Sequence, residues 1–537
     1  MPRQFNTAGP CKADIHYMLP PTRRLHGVRD LVEARQYFVL HGARQVGKTT
    51  ALLSLGQELT AEGKFAAVLV SCEAGVPFED LERAVPAILG GWGARARAFL
   101  PPELRPPSWP VSVLTTAIQA AIEAWCLACP RPLVLFLDEV DGLAPDVLGS
   151  LLRQLRDGHA NRPQGFPWSL ALVGMRDIKD YVITSGGTGR SGAGSPFNVS
   201  AGSLTMGNFT HADIAELYAQ HTGDTGQAFE PAAVDRVWEL TAGQPWLVNA
   251  LAREATSVLC RDWAAPVRLA DIDQARRHLV QRMDTHLDSL VERLRDPRVR
   301  RVMEPLIAGL PTGDLPSDDI RYVTEMGLVV LTDSGLTVAN PIYREIIPNG
   351  LATTIQAFFP QWRPSWVKPD GTIDLDLLLA GFLAFWKKDG VAMMGAAAYP
   401  EIAAHTVLMA WLTKVCNGGG FLDREYANGD GRMDLFLRAG GLKLGIEVKV
   451  WRDYEPEPAV VADGTRKGRA ARPKPRPRPD PLIEGIPQLD GYLSKVGAAD
   501  GWLVIFEHRA GMLPIEKRTS ASSLTSPAGH KVVVVRG

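Results

Sequence analysis

Short apolar runs alternate with longer amphipathic stretches over the first 260 residues of the chain. The runs at residues 36–41, 66–70, 133–137 and 170–173 have the length and the apolar, β-branched composition of buried strands. The stretches between them have helical length, beginning with residues 51–62. Strands that alternate with helices in this way form βα units around a parallel sheet. The pattern therefore predicts an α/β domain, preceded by a lead-in of 30 residues.

The pattern changes after residue 260. A predicted helix at residues 319–326 is followed by two short strands around an Asp-Ser-Gly turn at residues 333–335, an order that resembles a winged helix. A stretch rich in proline and tryptophan at residues 359–368 predicts a domain boundary, and a further unit of strands and helices follows it. We expect three domains, at residues 1–260, 261–360 and 361–537, the last with a basic, proline-rich insertion at 455–481.

Composition excludes several classes of protein. With 537 residues, 46% of them hydrophobic, the chain is long and apolar enough for several packed domains, and a formal net charge of -1 excludes a uniformly basic nucleic-acid coat. Six cysteines are too few for a disulfide scaffold. The longest apolar run, residues 377–386, is too short to cross a bilayer, and the start shows no secretory signal. We expect a cytoplasmic protein without a membrane partner.

The first candidate for chemistry follows the first predicted strand. Residues 42–50 fit the phosphate-loop pattern GxxxxGK[ST] between a strand and a helix, the context in which main-chain N–H groups and a helix N-terminus surround phosphates. In this pattern Lys48 reaches the β- and γ-phosphates, and the Thr49 hydroxyl binds Mg²⁺. The predicted nucleotide-binding residues of the loop are Gly42, Arg44, Gln45, Gly47, Lys48, Thr49 and Thr50.

Three further segments extend this site. The strand LFLDE delivers Asp138, which would hold Mg²⁺ through water, and Glu139, which would orient the attacking water. The strand at 170–173 is followed by Arg176, either a γ-phosphate sensor or a surface partner of a neighbouring aspartate. A turn with Gly243 and Pro245 can lie against the adenine, although such a turn is weak evidence alone.

Together these segments resemble the prokaryotic AAA-like ATPases of the signal-transducing (STAND and archaeal-ATPase) type, over roughly residues 20–350. The resemblance implies an α/β ATPase core, a helical subdomain and a winged helix, which work as a nucleotide-controlled switch and often form homo-oligomers. Ala43 stands where the loop of this family usually has proline. The residues implied to bind or sense ATP and Mg²⁺ are Lys48, Thr49, Asp138, Glu139 and Arg176, with Gly243 and Pro245 on the adenine side.

A second candidate site lies in the last domain, where two alternating strands flank Gly440 and Gly441. If the strands pair symmetrically about this turn, the numbers of paired residues sum to 881, that is 440 plus 441. This pairing places three apolar pairs on one face: Met433 with Val448, Leu435 with Ile446, and Leu437 with Leu444. On the other face Asp434 lies opposite Glu447, with Lys449 beside it. Opposed carboxylates repel, and a cation such as Mg²⁺ or Mn²⁺ removes the repulsion.

This spacing resembles the PD-(D/E)xK nuclease superfamily over roughly residues 370–510. The resemblance implies that Asp434 and Glu447 bind the metal, that Lys449 assists the reaction, and that Glu401, on a preceding helix, presents a third acid. Gln488 and Tyr492 resemble the QxxxY motif of the RecB-like branch. The alternative is a solvated hairpin face on which the two acids pair with neighbouring cations.

A run of seven cations without an acid interrupts this domain at residues 466–478. Its alternating prolines favour an extended path without a packed core. A solvated linker and a phosphate-binding segment are equally consistent with it.

These patterns predict an ATP-controlled, metal-dependent nuclease that acts on nucleic acid, with DNA as the expected substrate. By analogy with other fusions of a switch and an effector, the expected setting is antiviral or anti-plasmid defence. Two alternatives stay open: a nucleotide-switched DNA-binding scaffold with an idle nuclease fold, and an ATP-dependent DNA translocase or loader.

Overall fold

The structure is a computed structural model, which describes residues 2–175, 200–282, 290, 293–294, 296–307, 315–332, 335–347, 366–368, 370, 372–394, 407–409, 411–412, 421–428, 431–451, 479–507, 509 and 512–537. The chain divides into two compact units. The first comprises Met1–His286 and Ile320–Ile342, and the second comprises Leu287–Asp319 and Tyr343–Gly537. The domain boundaries at residues 260 and 360 stay predictions.

The α-helices among the described residues include α1 (Val28–Glu33), α2 (Lys48–Ala61), α3 (Leu81–Phe99), α4 (Leu114–Ala128), α5 (Pro145–Gly158), α6 (His211–Thr225), α7 (Pro231–Thr241), α8 (Pro245–Glu254), α9 (Leu269–Arg282), α10 (Pro297–Ile307), α11 (Ser317–Glu325), α12 (Leu375–Met394), α13 (Leu482–Val496) and α14 (Ile515–Arg518). None of these helices combines the length and the apolarity that a bilayer crossing requires.

The first unit is built on a parallel sheet of five strands: β1 (Tyr37–His41), β2 (Ala66–Ser71), β3 (Leu133–Asp138), β4 (Ser169–Gly174) and β5 (Ser200–Thr205). Their order across the sheet is β2-β3-β4-β1-β5, and every neighbouring pair is parallel. Strand β4 thus separates β1 from β3, the two strands expected to carry the phosphate loop and the acidic pair. The predicted α/β fold with a parallel sheet is confirmed, with strand bounds close to those expected.

Both faces of this sheet are buried, which explains why its strands are almost continuously apolar. In β1, Phe38 and Leu40 pack against α1 and α2 on one face. Tyr37 and Val39 pack against α3, α4 and α5 on the other face. The two helical layers therefore fix the C-terminal edge of the sheet, from which the loops that follow β1, β3 and β4 leave.

A short hairpin of the first unit matches the predicted wing. Its strands are β6 (Val329–Thr332) and β7 (Gly335–Val338), which pair antiparallel and come directly after α11. Residues 333–334 of the predicted turn lie outside the described residues. The helix begins two residues before the predicted start, which is an ordinary difference for a helix terminus.

The second unit is built on a mixed sheet of six strands: β8 (Phe421–Asn428), β9 (Gly431–Ala439), β10 (Leu442–Trp451), β11 (Asp500–Glu507), β12 (Ser520–Thr525) and β13 (Lys531–Arg536). The order is β12-β13-β11-β10-β9-β8. Strands β10, β11 and β13 are parallel, whereas β8, β9 and β12 pair antiparallel with their neighbours.

Apolar side chains cover both faces of this sheet too. Leu435 and Ile446 pack in a core with α12 and with helical residues 407–409 and 411–412. Phe436, on the opposite face, packs in a second core with α13. The hairpin β9–β10 is therefore covered on both sides rather than on one.

Candidate functional site

The phosphate loop lies between β1 and α2, and its backbone depends on glycine at two places. Gly47, which precedes α2, has φ +97°, a left-handed conformation that side chains other than glycine adopt rarely. At Gly42, a Cβ atom would lie 2.8 Å from the main-chain oxygen of Met206. The loop therefore passes close to the chain that follows β5, and its backbone conformation requires glycine at positions 42 and 47.

Lys48 begins α2 and its ammonium group turns back onto the loop. The Nζ atom donates hydrogen bonds to the main-chain oxygens of Gly42, at 2.7 Å, and Ala43, at 3.0 Å. Burial lowers the pKa of Lys48, while the charges of Asp138 and Asp141 act in the opposite direction. The ammonium group is thus held inside the loop, at the position from which it can reach phosphate oxygens.

Thr49 and Asp138 meet directly, although 89 residues separate them. The Thr49 hydroxyl donates to Asp138 Oδ2 at 2.8 Å, and the Asp138 side chain is buried at the end of β3. Burial raises the pKa of Asp138, while the Thr49 hydrogen bond and the charge of Lys48 lower it. A hydroxyl and a carboxylate in contact beside the phosphate loop fit the two groups that hold Mg²⁺ in P-loop sites.

Glu139 differs from its neighbour in exposure. It follows β3 with a left-handed backbone, φ +59°, and its side chain reaches solvent at the C-terminal edge of the sheet. Desolvation and the negative charges of Asp138 and Asp141 raise its pKa. An exposed carboxylate at this edge is available to a water molecule beside the phosphates.

The turn at Gly243 lies against the phosphate loop. Gly243 has φ +73°, and its main-chain oxygen accepts a hydrogen bond from the N–H of Phe209 at 2.8 Å. The next residue, Gln244, donates from Nε2 to the main-chain oxygen of Arg44 at 3.4 Å, and Pro245 is the first residue of α8. The structure thus brings the predicted turn to the loop, while an adenine contact stays a prediction.

The hairpin of the second unit has the predicted register from the pair Leu442–Ala439 to the pair Ile446–Leu435, while the predicted pairing of Asp434 with Glu447 stays a prediction. Its paired residues include Leu437 with Leu444 and Leu435 with Ile446, whose numbers sum to 881. These four side chains lie on the face that packs against α12. Because side chains alternate along a strand, Asp434, Glu447 and Lys449 lie on the face that packs against α13.

The carboxylate of Glu447 is buried and only partly satisfied. The residue is 4% exposed; Oε1 accepts from Lys449 Nζ at 2.8 Å, while Oε2 has no hydrogen-bond partner among the described residues. Asp434 Oδ2 accepts from the N–H of Val448 at 2.7 Å. Burial, reinforced by the charge of Asp434, raises the pKa of Glu447 to about 7, against the effect of Lys449.

This arrangement fits a divalent cation. A buried carboxylate oxygen without a partner costs free energy, and a second carboxylate beside it adds repulsion that a cation would remove. The described residues contain no group of three or more His, Cys, Asp or Glu side chains that could hold a metal ion. Asp434 and Glu447 would therefore supply two ligands, and a complete shell would need water, substrate or further residues.

The other residues expected at this site have different outcomes. Gln488 and Tyr492 both lie on α13, where Gln488 is exposed and Tyr492 is half-buried against the core that includes Phe436. Glu401 lies outside the described residues, as do Arg176 of the nucleotide site and the basic run at 466–478. The roles of all these residues stay predictions.

Two protein-family models match the first part of the chain. One, described as an AAA domain, matches residues 31–182, and the other, described as an AAA-like domain, matches residues 122–348. These segments include the phosphate loop, the strand that ends in Asp138, and the turn at Gly243. The chain contains an AAA-type P-loop ATPase domain. Both matches end before the hairpin of the second unit begins.

Solved structures similar to the chain include a Walker-type ATPase of Pyrococcus abyssi, at 14% identity and TM-score 0.44 over 64% of this chain and 99% of that one. The ORC2 protein of Aeropyrum pernix is 13% identical, with TM-score 0.39 over 63% and 96%. The RuvB Holliday junction branch migration motor of Thermotoga maritima is 15% identical, with TM-score 0.33 over 59% and 89%. No curated protein matches the chain.

The lead-in contacts the phosphate loop and α2 through Cys11 and Arg24, two residues that sequence reasoning missed. The Thr50 hydroxyl accepts a hydrogen bond from the N–H of Cys11 at 3.1 Å, and Arg24 donates to the main-chain oxygen of Val46 at 2.6 Å. Asp141 was missed as well: its Oδ2 accepts from the N–H of Met175 at 2.8 Å, which ties the acidic turn to the end of β4. Of these missed residues, only Asp141 could have been found from the sequence, because it is the third acid within residues 138–141.

Proposed function

We propose that the protein is an ATP-controlled, divalent-metal-dependent nuclease that cleaves DNA phosphodiesters, with defence against viral or plasmid DNA as its setting. The observation that carries the nuclease part is the buried Glu447 carboxylate, whose Oε2 has no hydrogen-bond partner among the described residues, on the strand face that also carries Asp434. A solvated hairpin face would leave both acids in water. Burial of Glu447 to 4% exposure argues against that alternative.

Each residue of the hairpin has a distinct part in the proposal. Asp434 and Glu447 would hold Mg²⁺ or Mn²⁺, which supplies Lewis-acid polarisation of the phosphate and a more acidic bound water. Lys449 is half-buried and already bonded to Glu447 Oε1 at 2.8 Å. Its ammonium group would keep the metal-binding carboxylate oriented and would offset negative charge that develops on the phosphate.

The ATPase domain supplies the control. Lys48 would bind the β- and γ-phosphates, while Thr49 and Asp138, already in contact at 2.8 Å, would hold Mg²⁺. Glu139, exposed beside them, would orient the attacking water. This domain hydrolyses ATP, and we propose that its nucleotide state sets the rate of DNA cleavage.

One assay tests the nuclease. Purified full-length protein is incubated with linear, circular and single-stranded DNA and with RNA, with and without ATP and with Mn²⁺, Mg²⁺ or EDTA. We expect cleavage of DNA that requires the divalent metal. Replacing Asp434 by Asn or Glu447 by Gln should reduce it at least 100-fold.

Matched controls exist in the same unit. Glu484 is an exposed acid on α13, and Lys443 is an exposed cation on β10. Glu484→Gln should cleave DNA at the wild-type rate. Lys449→Ala should slow cleavage, whereas its control Lys443→Ala should cleave at the wild-type rate. Wild-type cleavage by Glu447→Gln would reject the assignment, and absence of cleavage under every condition would favour a binding scaffold.

A further inference from the structure

Arg24 is the last residue of a short 3-10 helix, Pro21–Arg24, in the lead-in, and its guanidinium group lies against the phosphate loop. One terminal nitrogen donates to the main-chain oxygen of Val46 at 2.6 Å, and the other donates to the main-chain oxygen of Gly207 at 2.9 Å. The guanidinium carbon lies 4.6 Å from the centre of the Phe209 ring. The group thus lies between the loop and the chain that follows β5, partly exposed to solvent.

The neighbouring arginine has the opposite environment. Arg23 forms ion pairs with Glu216, at 2.7 Å, and with Asp213, at 3.4 Å, on the exposed side of the lead-in. Arg24 forms no ion pair with any residue that the structure describes, and its hydrogen-bond partners there are main-chain oxygens. Burial lowers the pKa of Arg24 to about 10, so the group still carries its charge at neutral pH.

The charge of Asp213 attracts Arg24 without forming an ion pair, and a partly buried cation that lacks an ion pair is costly in a protein. This one is adjacent to the loop residue whose backbone turns into α2, because a Cβ atom on Gly47 would lie 2.9 Å from an Arg24 nitrogen. The N–H groups of such a loop face the phosphates, so a positive charge behind them adds to the potential that attracts an anion. We therefore expect the charge of Arg24 to be compensated by the phosphates of a bound nucleotide.

We propose that Arg24 is a positioning residue of the nucleotide site, which fixes the phosphate loop from behind and supplies positive charge that favours the β- and γ-phosphates. It acts through the loop rather than by contact with the reacting atoms. The inference does not depend on the nuclease activity, because it concerns nucleotide binding alone.

The test separates charge from scaffolding. Arg24→Gln keeps a hydrogen-bond donor for the loop carbonyl and removes the charge, whereas Arg24→Lys keeps the charge. Arg23→Met is the matched control, one residue away on the exposed side. Dissociation constants for ATP, ADP and AMP are measured on the full chain by displacement of a fluorescent ADP analogue.

We expect Arg24→Gln to bind ATP and ADP about tenfold more weakly, which corresponds to about 1.4 kcal/mol, and AMP within twofold of the wild type. Arg24→Lys should recover affinity to within threefold, and Arg23→Met should bind as the wild type does. Without nucleotide, the melting temperature of Arg24→Gln should be no lower than that of the wild type, but ADP should raise it less.

Three results would overturn the proposal: wild-type affinity of Arg24→Gln for ADP, equal weakness of Arg24→Lys and Arg24→Gln, and an Arg24→Gln chain that does not fold. The last two results would make Arg24 part of the scaffold, with its hydrogen bonds rather than its charge as the important feature.

Discussion

Two glutamates of this chain, Glu139 and Glu447, have the same side chain in opposite surroundings. Glu139 follows a strand and reaches solvent at the edge of a parallel sheet. Glu447 lies within a strand and is buried. The pKa of each is raised, but of the two only Glu447 carries a buried oxygen that has no hydrogen-bond partner among the described residues. Their positions lead to different expectations on substitution.

For Glu139, a change to glutamine should separate ATP binding from hydrolysis. The carboxylate is exposed and takes no part in the contact between Thr49 and Asp138, so the affinity for ATP should stay within threefold of the wild type. Loss of the water-orienting group should slow hydrolysis about 100-fold or more. Both quantities are measured by nucleotide titration and by phosphate release.

The control for this change is Glu73→Gln, an exposed acid just after β2 on the same edge of the sheet, which should hydrolyse ATP normally. Lys48→Ala should abolish hydrolysis, because the phosphates lose the ammonium group of the loop. A collapse of ATP affinity in Glu139→Gln would instead mean that Glu139 supports the structure of the site.

For Glu447, the raised pKa predicts a pH-dependent stability in EDTA. Between about pH 4.3, where an unfolded glutamate titrates, and pH 7 the folded state binds more protons than the unfolded state, so stability falls as pH rises through this window. Glu447→Gln removes the titration. Its gain in free energy of unfolding over the wild type should grow from near zero at pH 5 to on the order of 2 kcal/mol at pH 8.

Urea unfolding at several pH values, followed by a probe in the second unit, measures this difference. The exposed acid Glu484 provides the comparison, because Glu484→Gln should show no such trend. Adding Mn²⁺ at pH 8 should stabilise the wild type and not Glu447→Gln. Parallel pH curves for the wild type and Glu447→Gln would contradict the prediction.

At the level of elements, two left-handed glycines differ in their surroundings. Gly226 ends α6 with φ +80°, and a Cβ atom there would meet nothing within 4 Å. Gly243 ends its turn with φ +73°, and a Cβ atom there would lie 1.9 Å from the main-chain oxygen of Phe209. The first position therefore tolerates a side chain better than the second.

Alanine at Gly226 should cost about 1 to 2 kcal/mol, the backbone strain alone. Alanine at Gly243 should cost about 3 kcal/mol or more, since Phe209 and the turn must move apart. It should also weaken ATP binding, because the turn contacts the phosphate loop through Gln244 and Arg44. Thermal unfolding and nucleotide titration of the two variants measure both effects. Equal losses of stability in the two variants would mean that the turn at Gly243 can move away from Phe209 at little cost in free energy.

Local patterns predicted several elements correctly, for physical reasons. The strand that ends in Asp138 could be predicted because a strand buried on both faces must be apolar. The register of β9 with β10 could be predicted because a tight glycine turn fixes symmetric pairing. The order of strands in either sheet could not be predicted, since it depends on contacts between distant segments. Arg24 shows the same limit at the site, because its partner Gly207 lies 183 residues away.

At the level of the whole molecule, a formal net charge of -1 coexists with local concentrations of charge. The run at residues 466–478 contributes seven cations, while the acids at both candidate sites face the places where we expect metal ions. We therefore expect phosphate binding at either site to depend on bound cations and on a few side chains such as Lys48 and Lys449.

The two sites should be coupled. A ligand shifts a conformational equilibrium only by its different affinities for the two states, so ATP and ADP should give different rates of DNA cleavage, by threefold or more. Cleavage of one substrate is compared with ATP, with ADP and without nucleotide at fixed Mn²⁺. In Lys48→Ala the three rates should be equal. Equal cleavage rates of the wild type under the three nucleotide conditions would mean that the ATPase domain does not control the nuclease.

The division of the chain into units has a practical consequence for any attempt to separate them. The first unit contains residues 320–342 and the second contains residues 287–319, so the polypeptide passes between the units at three points in its sequence. A protease that cuts once after residue 342 leaves residues 287–319 on the ATPase fragment, and a cut after residue 286 removes residues 320–342 from it. Since no single cleavage yields both units whole, truncated chains should expose apolar surface and aggregate more readily than the intact protein.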